Sequence, residues 1–457
     1  MAGASSPYQL LREEFIQRAD EGCRIPDALR ARFDALDPGR DNWNIEVIDP
    51  IYDQLMALPE DAALAAAEPN DLDAIRALRP AGPRELTWQP SDAELLDKLH
   101  GAWTGRCVGC SLGKPVEGRG MQRDAEEHLT GRKSIKAYLQ KRGDWPLTDY
   151  FSSRDAGDGD TTGRGHCDRE TVDCMLPDDD IHYTLVGLGV LEEVGFDFTW
   201  EDVGRFWLGH IPIGAICTAE AQAILNVQNV SRRGGDVQAG PHWVRRYRNP
   251  YREWIGAQIR ADGWAYACAG NPERAAELAW RDAHWTHERN GIYGEMMFAA
   301  MIAASFVESD LDALLDIGLS EIPRDCRLAR WVTCCREWMA DIGDWETCMD
   351  RLEAELGTMH VVHTINNALI CLIGMHYGGL DTTHTPAVAV MCGLDTDCNG
   401  ATVGSIVGAI AGRADFGGKL AARLNDRLRA NVVGYQDVSI RSLAERSAAL
   451  WQWQKRV

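Results

Sequence analysis

Long apolar runs are missing from this chain of 457 residues. The longest, Met296 to Val307, falls short of the ~20 residues that a membrane-spanning helix needs. Positive charge is scarce as well. A formal net charge of -22 excludes a nucleic-acid or anionic-membrane surface, because phosphate binding needs clustered Lys and Arg. The 14 cysteines lack the dense, regular spacing of a small secreted scaffold, and no charged, apolar, small-residue signal segment opens the chain. Reduced thiols in a cytoplasmic protein are therefore the expectation. Strand-like alternation is rare and no repeat of fixed period occurs, which argues against β architectures and solenoids.

What the chain does have is helical periodicity. Apolar repeats near 3.6 run over 182–195, 200–209, 214–228, 253–268, 272–283, 292–307, 325–341, 345–356, 360–375, 383–391, 399–412, 417–429 and 439–454, with Gly or Pro between them. They predict an all-α fold, a single large orthogonal multi-helix globular domain over 91–457. Residues 1–90 carry short amphipathic pieces broken by Pro26, Pro50, Pro59, Pro69, Pro80, Pro83 and Pro90, and read as a loosely helical N-terminal extension. Ser91-Asp92-Ala93-Glu94 has the form of a capping box. It opens a helix with Leu95, Leu96, Leu99, Ala102 and Trp103 on one side, running toward Gly105 or Gly109. Residues 143–176, rich in Gly, Asp, Thr and Arg, predict a long loop, and long ordered loops tend to be functional.

Two acidic clusters stand at helix starts, Pro177-Asp178-Asp179-Asp180 and Gly393-Leu394-Asp395-Thr396-Asp397-Cys398-Asn399. Carboxylates at such spacing repel unless a cation sits between them, and hard divalent ions with oxygen ligands are the simplest remedy. An N-cap with acids favoured by the helix dipole accounts for one or two of these residues but not for all of them. Upstream, Gly105, Gly109 and Gly113 recur every fourth residue before Lys114, Pro115, Val116 and Glu117. Such spacing lets another backbone approach closely, with helix packing as the plainer explanation.

In this order the three segments resemble the ADP-ribosylglycohydrolase family, over roughly residues 95–445. The family's early G-D-A-L-G-x-x-x-E pattern is similar to Gly109-Cys110-Ser111-Leu112-Gly113-Lys114-Pro115-Val116-Glu117. Its T-D-D-T stretch falls on Asp178-Asp179-Asp180-Ile181, and its G-D-x-D-T-N stretch on Gly393 to Asn399 with Cys398 in place of Thr. The resemblance implies two divalent cations, magnesium or else manganese, held by Asp178, Asp179, Asp180, Asp395 and Asp397. Cys398 stands at the position of a ligating hydroxyl, although thiol sulfur suits magnesium poorly. It implies Glu117, Asp179 and Asp397 as catalytic residues, and Gly113, His182, His287 and Asn399 as substrate contacts. The activity implied is hydrolysis of a ribosyl bond at the anomeric carbon of an ADP-ribosylated or related substrate. A specialised nucleoside- or NAD-derived metabolite, and a non-catalytic ADP-ribose-binding protein, stay open as alternatives, as does the oligomeric state.

Cys107 and Cys110 lack a second pair at zinc spacing. Asp155 and Asp158 have no glutamate at a calcium loop's twelfth position. The helix from His360 and His363 through Asn366 and Asn367 is read as scaffold beneath the late cluster. Of Trp243, Trp254, Trp264, Trp280 and Trp285, most are expected in the core rather than stacked on a ligand.

Overall fold

The computed structural model describes residues 5–455 apart from 85, 158, 163–166, 233–239 and 417. Asp158 and Gly163 of the acidic loop lie outside the described residues. In order, the extension holds α1 (Pro7–Asp20), α2 (Asp27–Asp34), α3 (Ile45–Met56), α4 (Ala62–Ala67) and α5 (Leu72–Leu78). The main body begins with α6 (Asp92–Gly113), α7 (Glu117–Gly120), α8 (Gly131–Arg142), α9 (Asp179–Glu193), α10 (Trp200–His210), α11 (Thr218–Arg232) and α12 (Pro241–Arg246). It continues through α13 (Ala261–Ala267), α14 (Pro272–Ala283), α15 (Asn290–Ser305), α16 (Leu311–Leu319), α17 (Arg327–Asp341) and α18 (Trp345–Leu356). The last elements are α19 (Thr364–Gly378), α20 (His384–Met391), α21 (Thr396–Asp415), α22 (Gly418–Arg423) and α23 (Ile440–Gln454). The expected all-α class is what the structure has. Among the described residues the only sheet pairs Arg427–Leu428 with Val438–Ser439. None of the described helices is long and apolar enough to cross a membrane.

Some boundaries differ from the periodicity. The helix expected over 417–429 stops at Arg423, with a turn before the small sheet begins at Arg427, and 253–268 is helical only from 258 onward. Helices α8 and α16 were not anticipated; α8 is rich in Lys and Arg, so its apolar stripe is narrow. The described residues of 143–176 form the expected irregular connection. The extension is more ordered than its prolines suggest. Leu11, Phe15, Leu29, Phe33, Ile48, Ile51, Tyr52 and Leu55 make a small core of their own, and buried ion pairs dock it: Arg252 to Glu14 at 2.8 Å and Arg327 to Glu68 at 2.8 Å.

Helix α6 begins at the predicted cap, with Ser91 Oγ accepting from the Glu94 N–H at 3.2 Å, which is one of the two bonds of the expected capping box. It then runs past Gly105 and Gly109 to Gly113, because those glycines pack against α21 instead of ending the helix. A Cβ at Gly101 would lie 2.3 Å from Gly408 O, one at Gly105 2.0 Å from Gly404 O, and one at Gly109 1.9 Å from Gly400 O. At Gly113 it would meet Thr396 O at 2.2 Å. The two antiparallel helices thus touch backbone to backbone over their whole shared length, in a register any side chain at these rungs would break. Around this pair, α15 is buried at every position from Asn290 to Ser305, which explains why its sequence is apolar on all sides.

Gly109→Val is expected to cost about 3 kcal/mol or more, since the obstacle is backbone that cannot rotate away. Gly118→Ala, at a site with nothing within 4 Å, is expected to shift stability by less than about 1 kcal/mol. Urea unfolding of the two variants beside the parent chain checks both.

Candidate active site

The seam between α6 and α21 delivers the site. After Gly113 one tight turn, Lys114–Val116, leads to Glu117 at the start of α7, and the register sets this residue against the start of α21. Gly393 and Leu394 both adopt positive φ, +84° and +54°, and the Leu394 N–H donates to Gly120 O at 3.0 Å. That turn aims Asp395 and Asp397 toward Glu117. From below, Asn367 of α19 accepts from the Asp395 N–H at 3.2 Å and from Asn399 Nδ2 at 2.9 Å. The first acidic cluster arrives on α9. Buried Arg106 of α6 donates to Asp180 O at 2.7 Å and to Ile259 O at 2.6 Å, and pairs with Asp262 at 2.7 Å.

Glu117, Asp179, Asp395, Asp397 and Cys398 line one cleft of about 120 Å³, together with Met121, Cys217, Thr218, Glu220, Trp254, Ile255, Gly256, Ile259 and Val362. Its electrostatics are those of crowded, desolvated acids. Burial, then the neighbouring Asp178 and Glu117, pushes Asp179 up to about 6. Burial, then Glu117, pushes Asp395 up to about 7 and Asp397 well above the carboxylate range. Glu117, Asp395 and Asp397 each offer an oxygen within 4.8 Å of the others, and so do Asp180, Asp397 and Cys398 with its sulfur. Asp397 Oδ1 is buried without a hydrogen-bond partner. An orphaned carboxylate oxygen among further hard oxygens is a donor set that suits magnesium or manganese.

Other residues singled out by sequence lie behind the cleft. Asp178 caps α9 by accepting from the Asp180 N–H at 3.2 Å and is ion-paired with Lys114. Burial would raise its pKa, but the Lys114 charge holds it below the usual range. Asp180 is buried under Arg106. His182 accepts from the Asn431 N–H at 3.0 Å and is not among the residues that line the cleft. His287 is buried beside Thr286, Nδ1 to Oγ1 2.8 Å. Thr286 in turn accepts from Arg260 at 3.0 Å, and Arg260 donates to Glu220 at 2.7 Å. Gly113 is a rung of the seam, and Asn399 braces the late loop.

Sequence reasoning did not single out Glu220, Cys217 and Thr218, which sit at the start of α11 with no motif around them. Burial pushes Glu220 up to about 7 against the pull of Arg260. Trp254 is the exception among the tryptophans. Trp264 and Trp285 are fully buried, whereas half-buried Trp254 faces the cleft and stacks on the His360 ring at 3.9 Å between centroids.

Residues 91–456 match the sequence model of the ADP-ribosylglycohydrolase family. The chain belongs to the ADP-ribosylglycohydrolase family. A solved structure, "ADP-ribosylglycohydrolase-related protein complex", is similar at 18% identity and a TM-score of 0.48, over 79% of this chain and 99% of that one. A search of curated proteins returns no match. The family span starts at the cap of α6 and so takes in every cleft residue named above.

The scaffold under this ADP-ribosylglycohydrolase cleft includes a titratable cap. His363 does not share a helix face with His360; both precede α19, and His363 Nδ1 caps it by accepting from the Ile365 N–H at 3.1 Å. Burial pushes His363 from 6.5 down to about 4. The unfolded chain therefore takes up a proton before the folded chain does as pH falls, so the ring's contribution to stability is complete above 6.5 and is lost toward 4. In His363→Asn, which keeps a capping side chain, that loss is absent. The stability advantage of the parent chain over the variant is expected to narrow by about 2 kcal/mol between about pH 7 and about pH 4.5, read by urea unfolding at both.

Proposed function

We propose that the chain is a metal-dependent glycohydrolase that cleaves the ribosyl bond at the anomeric carbon of an ADP-ribosylated or related nucleotide-ribosyl substrate. The observation that carries this reading is the convergence of Glu117, Asp179, Asp395 and Asp397, distant in sequence, on one cleft, with Asp397 Oδ1 buried and unpartnered. These carboxylates would hold magnesium or manganese, which when bound supplies a positive centre that grips ribose hydroxyls and acidifies water. Glu117 serves as general base or acid at the anomeric carbon. The acidic lining stabilises the oxocarbenium-like charge that develops as the bond breaks. Trp254 offers a flat apolar face for the ring of the substrate or leaving group, and Glu220, braced by Arg260, adds a further carboxylate to the lining.

A second reading is favoured by the cleft's volume. At about 120 Å³ it is small beside the ~300–1,000 Å³ of sites that bury drug-sized ligands, which suits a compact nucleoside- or NAD-derived ribosyl metabolite better than a bulky protein conjugate.

A panel of ADP-ribosylated proteins, small ADP-ribose conjugates and nucleosides, followed by mass spectrometry with magnesium and then with chelator, tests both readings. Release of a free ribosyl product that stops on chelation is expected. Asp397→Asn is expected to lower turnover at least ~100-fold with an unchanged helical circular-dichroism spectrum. Tight ADP-ribose binding with no turnover under any metal would instead point to a binding protein.

A further inference from the structure

The acidic clusters taken as sequence imply two divalent cations, but their surroundings are not equivalent. Three groupings bring ligand atoms within 4.8 Å of one another: Glu117 with Asp395 and Asp397, Asp180 with Asp397 and Cys398, and Cys110 with Asp178 and Asp180. The first is all oxygen and opens on the cleft, and its Asp397 is 3% exposed with Oδ1 lacking any hydrogen-bond partner. The second shares Asp397 with the first and its Asp180 Oδ2 also lacks a hydrogen-bond partner, but its third member is a thiol that hard cations bind weakly. The third already contains a cation.

That cation is Lys114. Its Nζ is ion-paired with Asp178, and the two side chains are 14% and 4% exposed. The pair also sits beside Cys110, whose soft thiol is a poor ligand for a hard cation. Lys114 directly follows Gly113, the last rung of the α6–α21 seam, so the register that places Glu117 places this ammonium too. Beyond Asp178, its charge also reaches Asp397 and Asp179.

We propose that the Lys114 ammonium takes the place of one metal ion, so that the site binds a single divalent cation at Glu117, Asp395 and Asp397, and Asp178 is a structural counter-ion and not a ligand. A second divalent ion beside Asp178 would have to displace Lys114, leaving a half-buried ammonium without its carboxylate and two like charges in contact. This inference rests on the metal-dependent reading above and goes beyond it in the number of ions and in the role of Lys114.

Anomalous diffraction at the manganese edge, with calorimetric titration of manganese into the full chain, reads the stoichiometry for the parent and for Lys114→Gln. One ion per parent chain and two per Lys114→Gln chain, the extra one beside Asp178, is the expected result. Two ions in the parent chain would overturn the inference while leaving the hydrolase reading intact, and no ion at all would overturn both. A variant that folds but still binds one ion would remove Lys114 from the account. If Lys114→Gln does not fold, electron paramagnetic resonance of the manganese-loaded parent decides: the spectrum of an isolated ion supports the inference and that of an exchange-coupled pair refutes it.

Discussion

Everything in the site hangs on contact between two backbones. Where α6 and α21 meet, glycine faces a carbonyl at Gly101, Gly105 and Gly109 and again from the other side at Gly400, Gly404 and Gly408. Because the helices are antiparallel and every rung is four residues from the next, the register admits no slip: sliding one helix by a residue would drive a side chain into a peptide plane. Register is what function needs here. Glu117 stands just beyond the last rung on one helix and Asp397 just inside the first turn of the other, so their separation is set by close-packed main chain and not by flexible loops. A constellation of carboxylates held this way is preorganised for a cation or a sugar.

Such an arrangement is unfavourable in itself. Burial and mutual repulsion raise Asp179, Asp395 and Asp397 together, and the fold answers with fixed positive groups on the protein side of the cluster only. Arg106 binds the Asp180 carbonyl and Asp262, and Lys114 pairs with Asp178. The cleft side carries no comparable arginine or lysine among its lining residues. This asymmetry separates acids that serve the architecture from acids left for a ligand, a distinction that like residues in one run, Asp178-Asp179-Asp180, do not show in their sequence.

The legible part of this protein was therefore its periodic and repetitive part. Apolar repeats near 3.6 announced the all-α class, and the spaced glycines, the two acid clusters and Glu117 announced the three segments that meet. What stayed hidden depends on direction. Nothing in the order Asp-Asp-Asp says that the middle carboxyl faces the cleft while its neighbours turn to Lys114 and Arg106, because that follows from the phase of α9. Glu220 and Trp254 were hidden for a different reason: each is a single residue contributed by a segment of no special pattern. Trp254 differs from the buried Trp264 only in tertiary surroundings. His182 and His287, adjacent in sequence to the right features, have their rings turned to Asn431 and Thr286 by packing.

The extension enters the same argument. Trp254 lies two residues after Arg252, and buried Arg252 is gripped by Glu14 and Glu21 of the extension as well as by Glu288. Next to it Glu253 receives Gln17 from the extension at 2.9 Å, and Arg327 at 2.7 Å. The turn that carries Trp254 is thus preceded by two charged residues whose partners include Glu14 and Gln17 of α1 and Glu21 at its C-terminal end. Removing those partners would leave buried Arg252 with Glu288 as its remaining carboxylate, and breaking buried pairs of this kind costs up to about 3–5 kcal/mol. Glu14, Gln17 and Glu21 are therefore packed against the segment that leads into Trp254, so this part of the extension joins the scaffold of the cleft.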